Sequence, residues 1–159
     1  MAIFLKYGSL KGEVTQETHK EWIEVNSLQW GVGRGISSGV GGGSLREATA
    51  PSVSEITISK VMDISSPLLF KEAIGGKAVD VKIELTQTDN NGKHVSFQKY
   101  VLSQTLISGY SLSSGGDRPS ESLSFSFTKI DSEYLNIDDK FGSKTTGHVI
   151  FDIALSKLS

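Results

Sequence analysis

The stretch VDVKIELTQTDNNGKHVSF occupies residues 79–97 and indicates the kind of fold this chain adopts. Apolar residues fill the odd positions from Val79 to Leu85, and polar residues fill the positions between them. A period of two is typical of a β-strand with one buried face and one solvated face. The segment DNNG at residues 89–92 tolerates positive φ angles, so it predicts a turn that joins two strands.

Similar alternation recurs along the chain and predicts a protein built mainly from strands. Apolar residues alternate with polar ones in further segments: Ile3 and Leu5; Ile56 and Ile58; Leu123, Phe125 and Phe127; and Val149, Phe151, Ile153 and Leu155. Between residues 22 and 32 the apolar positions change from odd to even. That change predicts a β-bulge near Asn26 and Ser27.

One segment departs from the strand pattern and predicts a short helix. Residues 65–76 read SSPLLFKEAIGG, with serine at the start, Pro67 in the first turn and glycine after the last apolar residue. These are the usual signals of a helix N-terminus and C-terminus. Many strands with one helix, in a chain of 159 residues, predict a single mainly β domain of barrel or sandwich type.

Composition excludes several classes of function. The net charge of −2 does not favour binding to nucleic acid or to an anionic membrane surface. The absence of cysteine excludes disulfides, thiolate metal sites and a cysteine nucleophile. No apolar run is long enough for a membrane helix, and the N-terminal residues MAIFLKYGSLKGE lack the pattern of a signal peptide. We therefore expect no membrane insertion, and any export would use a route without a signal peptide.

Motifs for catalysis are weak. The segment GISSG at residues 35–39 matches G-x-S-x-G, but glycines follow it where a nucleophile elbow needs a helix. The glycine-rich stretch fits neither the P-loop nor the dinucleotide-binding pattern. We expect no catalytic residues and no cofactor, and the protein is predicted not to be an enzyme.

Metal sites are also poorly supported. Residues 87–98 approach a calcium-loop register, but glutamine stands at both ends where anionic ligands are needed. The remaining acidic candidates are interpreted as a solvated edge: Asp131, Glu133, Asp138 and Asp139. The histidines at positions 19, 94 and 148 have no metal-ligand spacing and are expected at the surface or at strand ends. Trp22 and Trp30 are interpreted as core aromatics rather than a base or sugar platform.

The glycine-rich loop at residues 31–51 is longer than an ordinary connection, which favours either a function for it or disorder. Its flank at residues 44–47 carries both charges and an apolar residue, which suits docking better than passive tethering. We expect this loop to become ordered against a neighbouring protein.

A set of landmarks occurs in a characteristic order along the chain, at residues 3–6, 11–13, 18–25, 30–32, 56–63, 66–68, 106–110, 114–117 and 121–125. Taken together, they resemble the Hcp family, the haemolysin co-regulated proteins of bacterial type VI secretion systems. It extends to about Tyr134 and is weaker over the last strand. Many relatives have more uniform Gly, Ser and Met in the loop than this chain, which carries Arg34, Arg46 and Glu47 there.

The resemblance implies two packed antiparallel sheets that close into a β-barrel, with one short α-helix on the flank, as in phage tail-tube proteins. It implies hexameric rings that stack into an expelled inner tube and carry effectors, and partners that include the tip spike protein and the contractile sheath. The protein would assemble in the cytoplasm and then be secreted. The alternatives are a tail-tube protein of a contractile phage-like particle and a small-molecule-binding β-barrel. Contacts between subunits or rings are predicted at one loop set: Gly33, Arg34, Ser44, Leu45, Arg46 and Glu47.

Overall fold

The chain is described here by a computed structural model that covers residues 1–38 and 46–159. Short strands lie near the N-terminus: β1 (Ala2–Tyr7), β2 (Ile23–Val25), β3 (Ser27–Gln29), β4 (Val32–Gly33), β5 (Ile36–Ser38), β6 (Arg46–Ala48), β7 (Ser52–Val53) and β8 (Ile56–Val61). The helix and the longer strands follow: α1 (Ser66–Gly75), β9 (Val79–Thr88), β10 (His94–Ser113), β11 (Ser120–Ser126), β12 (Lys129–Ile137), β13 (Ser143–Asp152) and β14 (Lys157–Leu158).

Ten of these strands form two antiparallel sheets that share β10. Sheet A has the order β2-β1-β9-β10-β12-β13-β14, and sheet B has the order β3-β8-β11-β10. The first part of β10 pairs with β9 and β12, and the part from Leu106 onward pairs with β11. Gln104 has a φ of 51° between the two parts, where the register with β9 also shifts. A bulge therefore turns one long strand from sheet A into sheet B.

The change of phase near Asn26 has a related cause. β2 pairs with β1 in sheet A, whereas β3 pairs with β8 in sheet B. The chain bends at Asn26, whose N–H donates to the Ser59 carbonyl at 2.8 Å. The predicted bulge is therefore a bend between strands of different sheets, and the buried face changes because the sheet changes.

The prediction of a mainly β fold with packed antiparallel sheets and one helix is confirmed. Within residues 1–38 and 46–159, the ladder of paired strands ends at β2, β3 and β14, and it does not return on itself. Hydrogen bonds between strands thus do not close these sheets into a barrel. In this same part of the chain, no helix has both the length and the apolar character that crossing a membrane requires.

The inner faces of the two sheets and one side of α1 enclose the core. Its side chains are almost entirely removed from water, and those with no exposed surface are Ile23, Ile56, Val81, Ile83, Leu102, Leu123 and Phe125. Leu69 of α1 is 1% exposed and joins the same cluster. Burial of apolar side chains from both sheets and the helix supplies the main driving force for this arrangement.

An ion pair is buried beside this core, between sheet B and α1. Lys60 of β8 and Glu121 of β11 stand opposite each other in register, and both side chains are fully buried. The Lys60 Nζ donates to Glu121 Oε2 at 2.8 Å and to Asp63 Oδ1 at 3.0 Å. It also donates to the Ser66 hydroxyl at the start of α1. The cluster thus joins the helix to the sheet.

The other Glu121 oxygen accepts a hydrogen bond of 2.7 Å from the Tyr110 hydroxyl. Burial alone would raise the pKa of Glu121, but hydrogen bonds from Lys60, Tyr110 and Ser66 and the Lys60 charge outweigh burial and lower that pKa. Burial and the neighbouring Glu121 raise the pKa of Tyr110 to about 12. Glu121 therefore stays ionised and Tyr110 stays protonated at neutral pH.

The ends of two elements differ from their predictions. Ser65 occupies the N-cap of α1 but makes no capping hydrogen bond to the helix, because its hydroxyl donates to Asp63. The predicted strand through Leu155 ends at Asp152, where a turn begins and leads into β14. The Asp152 carboxylate accepts a hydrogen bond of 3.0 Å from the Leu155 N–H and so holds that turn.

Candidate assembly site

The described residues of the glycine-rich segment form an exposed two-stranded ribbon. We call its described residues, 31–38 and 46–54, the arm. β4 pairs with β7 and β5 pairs with β6, in two short antiparallel ladders that are separate from sheets A and B. Gly35 donates to the Thr49 hydroxyl at 2.7 Å, and a Cβ at Gly35 would lie 3.2 Å from that oxygen. Glycine therefore allows the close approach of the two sides of the arm.

The described residues of the predicted contact set lie on the arm. Gly33 pairs with Ser52 at its base, and Arg34 follows Gly33. Arg46 and Glu47 stand in β6, opposite Ser38 and Ser37. All four are exposed. Ser44 and Leu45, which complete the predicted set, lie outside the described residues.

The charges and apolar residues of the arm are available to another molecule. Within residues 1–38 and 46–159, Arg34, Arg46 and Glu47 take part in no ion pair. Val32 and Ile36 are 61% and 58% exposed. A two-stranded ribbon without a core is marginally stable by itself, so contact with a neighbour would stabilise the arm.

An apolar hollow of about 370 Å³ lies where the base of the arm meets β12, β13 and β14. Trp30 and Val53 contribute from the arm side, and Phe151 and Leu158 contribute from the sheet side. The Trp30 and Tyr100 rings pack together with their centroids 5.7 Å apart. Trp30 is partly buried against the core, which agrees with its interpretation as a core aromatic. Leu158 is 68% exposed, so water reaches this apolar surface in the isolated chain.

Two neighbouring rows on the solvent face of sheet B carry uncharged side chains, most of them with hydroxyl groups, whereas the next row contains the exposed Val61. One row across the strands contains Ser27, Ser59, Ser122 and Ser111, and the next contains Gln29, Thr57, Ser124 and Gly109. Residues paired across antiparallel strands project from the same face, so these rows form one surface, which we call the hydroxyl face. Neither row contains a charged residue.

The corresponding face of sheet A is different in character. Its central row places Glu84, Lys99, Glu133 and His148 beside one another on β9, β10, β12 and β13. The opposite charges of Lys99 and its two glutamate neighbours favour one another in this row. The two solvated sheet faces of this chain therefore offer different surfaces, one charged and one rich in hydroxyl groups.

The G-x-S-x-G match has no nucleophile elbow. Ile36, Ser37 and Ser38 form β5, and the Ser37 hydroxyl donates to the Glu47 carbonyl at 3.4 Å. A serine in an exposed ribbon lacks the strand-to-helix turn that the motif requires. Gly39, the last residue of the match, lies outside the described residues.

The acidic residues of the C-terminal half serve separate contacts. Asp131 pairs with His148 at 2.6 Å, and Glu133 accepts from the Thr145 hydroxyl at 2.5 Å. Asp138 accepts from the N–H groups of Lys140 and Gly142 and holds the turn between β12 and β13. In the part of the chain that the structure describes, no group of three or more acidic, histidine or cysteine side chains is placed to hold a metal.

His19 is a buried residue, so the expectation of a surface position was wrong. It is 3% exposed, and its ring stacks on Phe4 with centroids 4.5 Å apart. Its Nε2 lies 2.5 Å from the Glu84 carboxylate, which also accepts from Ser96 at 2.6 Å. Sequence gives no periodic signal for this burial, because the segment that carries His19 folds back over sheet A.

These contacts make Glu84 a source of acid-dependent stability. Burial alone would raise the pKa of Glu84, but hydrogen bonds from His19 and Ser96 and the nearby charges of Lys99 and His19 outweigh it and lower that pKa. A carboxylate whose pKa is lower in the folded than in the unfolded protein stabilises the fold at pH values above its unfolded pKa. This stabilisation is lost as the pH falls through the folded pKa.

We expect the stability difference between the wild type and Glu84→Gln to shrink as the pH falls below about 4.5. Urea unfolding measured at a series of pH values gives this difference directly. Glu24→Gln is the matched control, because Glu24 is an exposed carboxylate on β2, two strands away from β9 in sheet A. A difference for Glu84→Gln that stays constant with pH would contradict the assignment.

Comparison with known proteins identifies the family. The sequence model of the family described as Type VI secretion system effector, Hcp, matches residues 4–134. The chain belongs to the Hcp family. It is 30% identical over 135 residues to the protein hcp1 of Pseudomonas aeruginosa, a match that covers 83% of this chain and 82% of that one.

Solved Hcp structures share the fold. Hcp1 from Salmonella typhimurium is 25% identical, with a TM-score of 0.76 over 99% of this chain and 98% of that one. A type six secretion system protein reaches a TM-score of 0.88 at 24% identity, over 99% of each chain. The Hcp family match ends within β12, yet this structural likeness extends over β13 and β14. Fold is therefore shared beyond the segment in which sequence is recognisably similar.

Proposed function

We propose that this protein is the tube subunit of a type VI secretion system. In this proposal it forms hexameric rings, which stack into the inner tube that the contractile sheath expels together with the tip spike protein. Membership of the Hcp family supports the assignment to the secretion system. The observation that carries the structural part is the arm, an exposed two-stranded ribbon with its charged and apolar side chains in water.

Residues 1–159 act as one domain in this proposal, with the two sheets as the wall of a barrel. β10 continues from sheet A into sheet B on one side. On the other side the chain continues from β2 to β3 through Asn26. Covalent continuity at these two places would hold the sheets around the core without a closed hydrogen-bonded ladder.

The arm is proposed to contact the neighbouring ring. A heterologous contact joins two different surfaces, and repeating it builds a ring or a filament. Arg34, Arg46 and Glu47, which take part in no ion pair among the described residues, favour a surface that carries the opposite charges, and this makes the contact directional. The apolar hollow at the base of the arm is continuous with this contact, and a second copy of the chain is the proposed cover.

Charge reversal at Arg46 tests the arm. We expect Arg46→Glu to raise the protein concentration required for stacked rings by about tenfold, while single rings still form. Electron microscopy counts stacks, and sedimentation velocity measures rings on the same samples. Lys71→Glu is the matched control, because Lys71 is an exposed cation on α1 and not on the arm. Stacking that Arg46→Glu leaves unchanged would contradict the proposal.

The hydroxyl face is proposed to line the central hole of the ring. Effectors of differing charge have to pass through such a hole, and an uncharged, hydrated surface neither traps nor repels either sign. The row of Ser27, Ser59, Ser122 and Ser111 has this character across the full width of sheet B.

Because the chain contains no cysteine, a single introduced thiol can test whether the hydroxyl face lines the central hole of the ring. We expect Ser122→Cys in assembled rings to react with a small maleimide but to be protected from a maleimide attached to a bulky polyethylene glycol. Ser9→Cys, at an exposed turn after β1, is the matched control and should react with both reagents. Equal reaction of both variants with the bulky reagent would place the hydroxyl face outside the ring.

The proposed role is structural rather than enzymatic, and it includes carrying effector proteins in the hole. Assembly would take place in the cytoplasm, and expulsion of the tube would release the protein outside the cell. Purification of the protein with a bound effector, and loss of that effector after substitution of the hydroxyl face, would test the carrier role.

A further inference from the structure

A groove of about 390 Å³ lies at the end of sheet B that is opposite to the arm. β8 connects the two places, because it begins at Ile56, shortly after the arm, and ends at Val61, in the wall of the groove. A strand of this length spans about 17–20 Å. The arm and the groove therefore stand at opposite ends of one strand, and a copy of the chain displaced along β8 would bring the arm to the groove.

Three segments form the walls of the groove, and hydrogen bonds hold these segments together. The segment after β1 contributes Glu13, whose carboxylate accepts a hydrogen bond of 3.0 Å from the Ile64 N–H. The turn after β8 contributes Met62, whose N–H donates at 2.9 Å to the carbonyl of Pro119, the residue after Arg118. The groove is thus already formed in the single chain, so a partner that enters it does not have to order it first.

The groove presents two carboxylates and one guanidinium group to the solvent. Glu13, Glu24 and Arg118 are exposed, and within residues 1–38 and 46–159 none of them takes part in an ion pair. Val61, which is 40% exposed, and Met62 add apolar surface to the same groove. A surface that combines charged and apolar groups suits a protein segment with the complementary charges and apolar side chains of its own.

The described residues of the arm have this complementary composition. The arm carries two guanidinium groups, on Arg34 and Arg46, and one carboxylate, on Glu47, whereas the groove carries the reverse. Val32 and Ile36 supply exposed apolar side chains on the arm. Contact of arm with arm, or of groove with groove, would bring mainly like charges together, which is unfavourable. The charges therefore favour contact of the arm with the groove over contact of either surface with itself.

We propose that the groove is the receptor for the arm of a second copy of this chain. This inference rests on the proposed function, because it names the surface that the arm meets in the neighbouring ring. The arginines of the arm face Glu13 and Glu24 in this contact, and Glu47 faces Arg118. The apolar side chains of both surfaces are removed from water together. Because the two surfaces differ, the contact can repeat from ring to ring in one direction.

A mixture of two charge-reversed variants tests this pairing. Arg46→Glu reverses a charge on the arm, and Glu24→Arg reverses a charge in the groove. Each variant alone brings like charges together, so we expect each to raise the concentration required for stacked rings by about tenfold. In an equimolar mixture of separately assembled rings, each contact between unlike rings joins opposite charges. Electron microscopy of the mixture should therefore show stacks at close to the wild-type concentration.

Glu17→Arg is the matched control, because Glu17 is an exposed carboxylate outside the groove. It should stack as the wild type does, and sedimentation velocity shows whether each variant still forms rings. Stacking that Glu24→Arg leaves unchanged, or a mixture that stacks no better than its two components, would overturn the groove as the receptor. Arg46→Glu alone still tests the arm in either case, so this inference can fail while the proposed contact of the arm stands.

Discussion

Replacing Lys60 with methionine is expected to lower the free energy of unfolding by about 3–5 kcal/mol. Methionine retains much of the apolar stem, but it removes the charge that faces Glu121 and Asp63. Glu121 would then be a buried carboxylate without a cation, which is far more costly than loss of an exposed ion pair. Urea unfolding of the wild type and the variant, followed by fluorescence of Trp22 and Trp30, measures the change.

Lys82→Met is the matched control, because Lys82 is an exposed lysine in the middle of β9. Its effect should stay within about 0.5 kcal/mol. The double variant Lys60→Met/Glu121→Leu should recover much of the loss, since it removes both buried charges together. An equal and small effect of Lys60→Met and Lys82→Met would show that the buried pair does not stabilise the fold.

Phe125→Ala is expected to destabilise the fold by about 3–5 kcal/mol. Phe125 has no exposed surface, and it lies in β11 between Ile56 of β8 and Ile107 of β10. Its ring is 6.0 Å from the Tyr7 ring of sheet A, so its removal opens a cavity where the two sheets meet. The midpoint of urea unfolding reports the change.

Phe70→Ala is the control for this prediction. It distinguishes the effect of losing a buried core ring from the effect of losing a partly exposed phenylalanine ring. Phe70 is 52% exposed on α1, and the centroid of its ring lies 5.6 Å from the centroid of the Tyr110 ring. Its removal should cost about 1 kcal/mol. If the two variants unfolded at the same urea concentration, the assignment of Phe125 to the centre of the core would be wrong.

The strands and the helix were predictable where periodicity is strong. The alternation in residues 79–86, the DNNG turn and the signals around Pro67 each correspond to an observed element. β12 was missed as a strand, because its core-facing positions include Ser132 as well as Ile130, and that mixture weakens the apolar alternation. The resemblance to the Hcp family added two packed antiparallel sheets with one helix on the flank, which the structure confirms, whereas closure of the sheets into a barrel stays a prediction.

The buried ion pair had a sequence signal that was not used. Lys60 continues the buried positions of Ile56 and Ile58, and Glu121 continues those of Leu123 and Phe125. Opposite charges at core positions of two strands predict a buried pair once the strands are known to be neighbours. The hydroxyl face, in contrast, required the register of β3, β8, β11 and β10, because separate serines become one surface only after pairing.

The continuity of β10 through both sheets has a consequence for how the chain folds. Its first part needs β9 and β12, and its last part needs β11, so sheet B is complete only when the chain has been synthesised through Ser126 and sheet A only when it has been synthesised through Leu158. β1 pairs with β9, so it can form this ladder only after a segment far along the chain is available. Contacts between distant residues slow folding and couple the unfolding of the elements that share them. The two sheets should thus lose hydrogen-exchange protection together, as one cooperative unit.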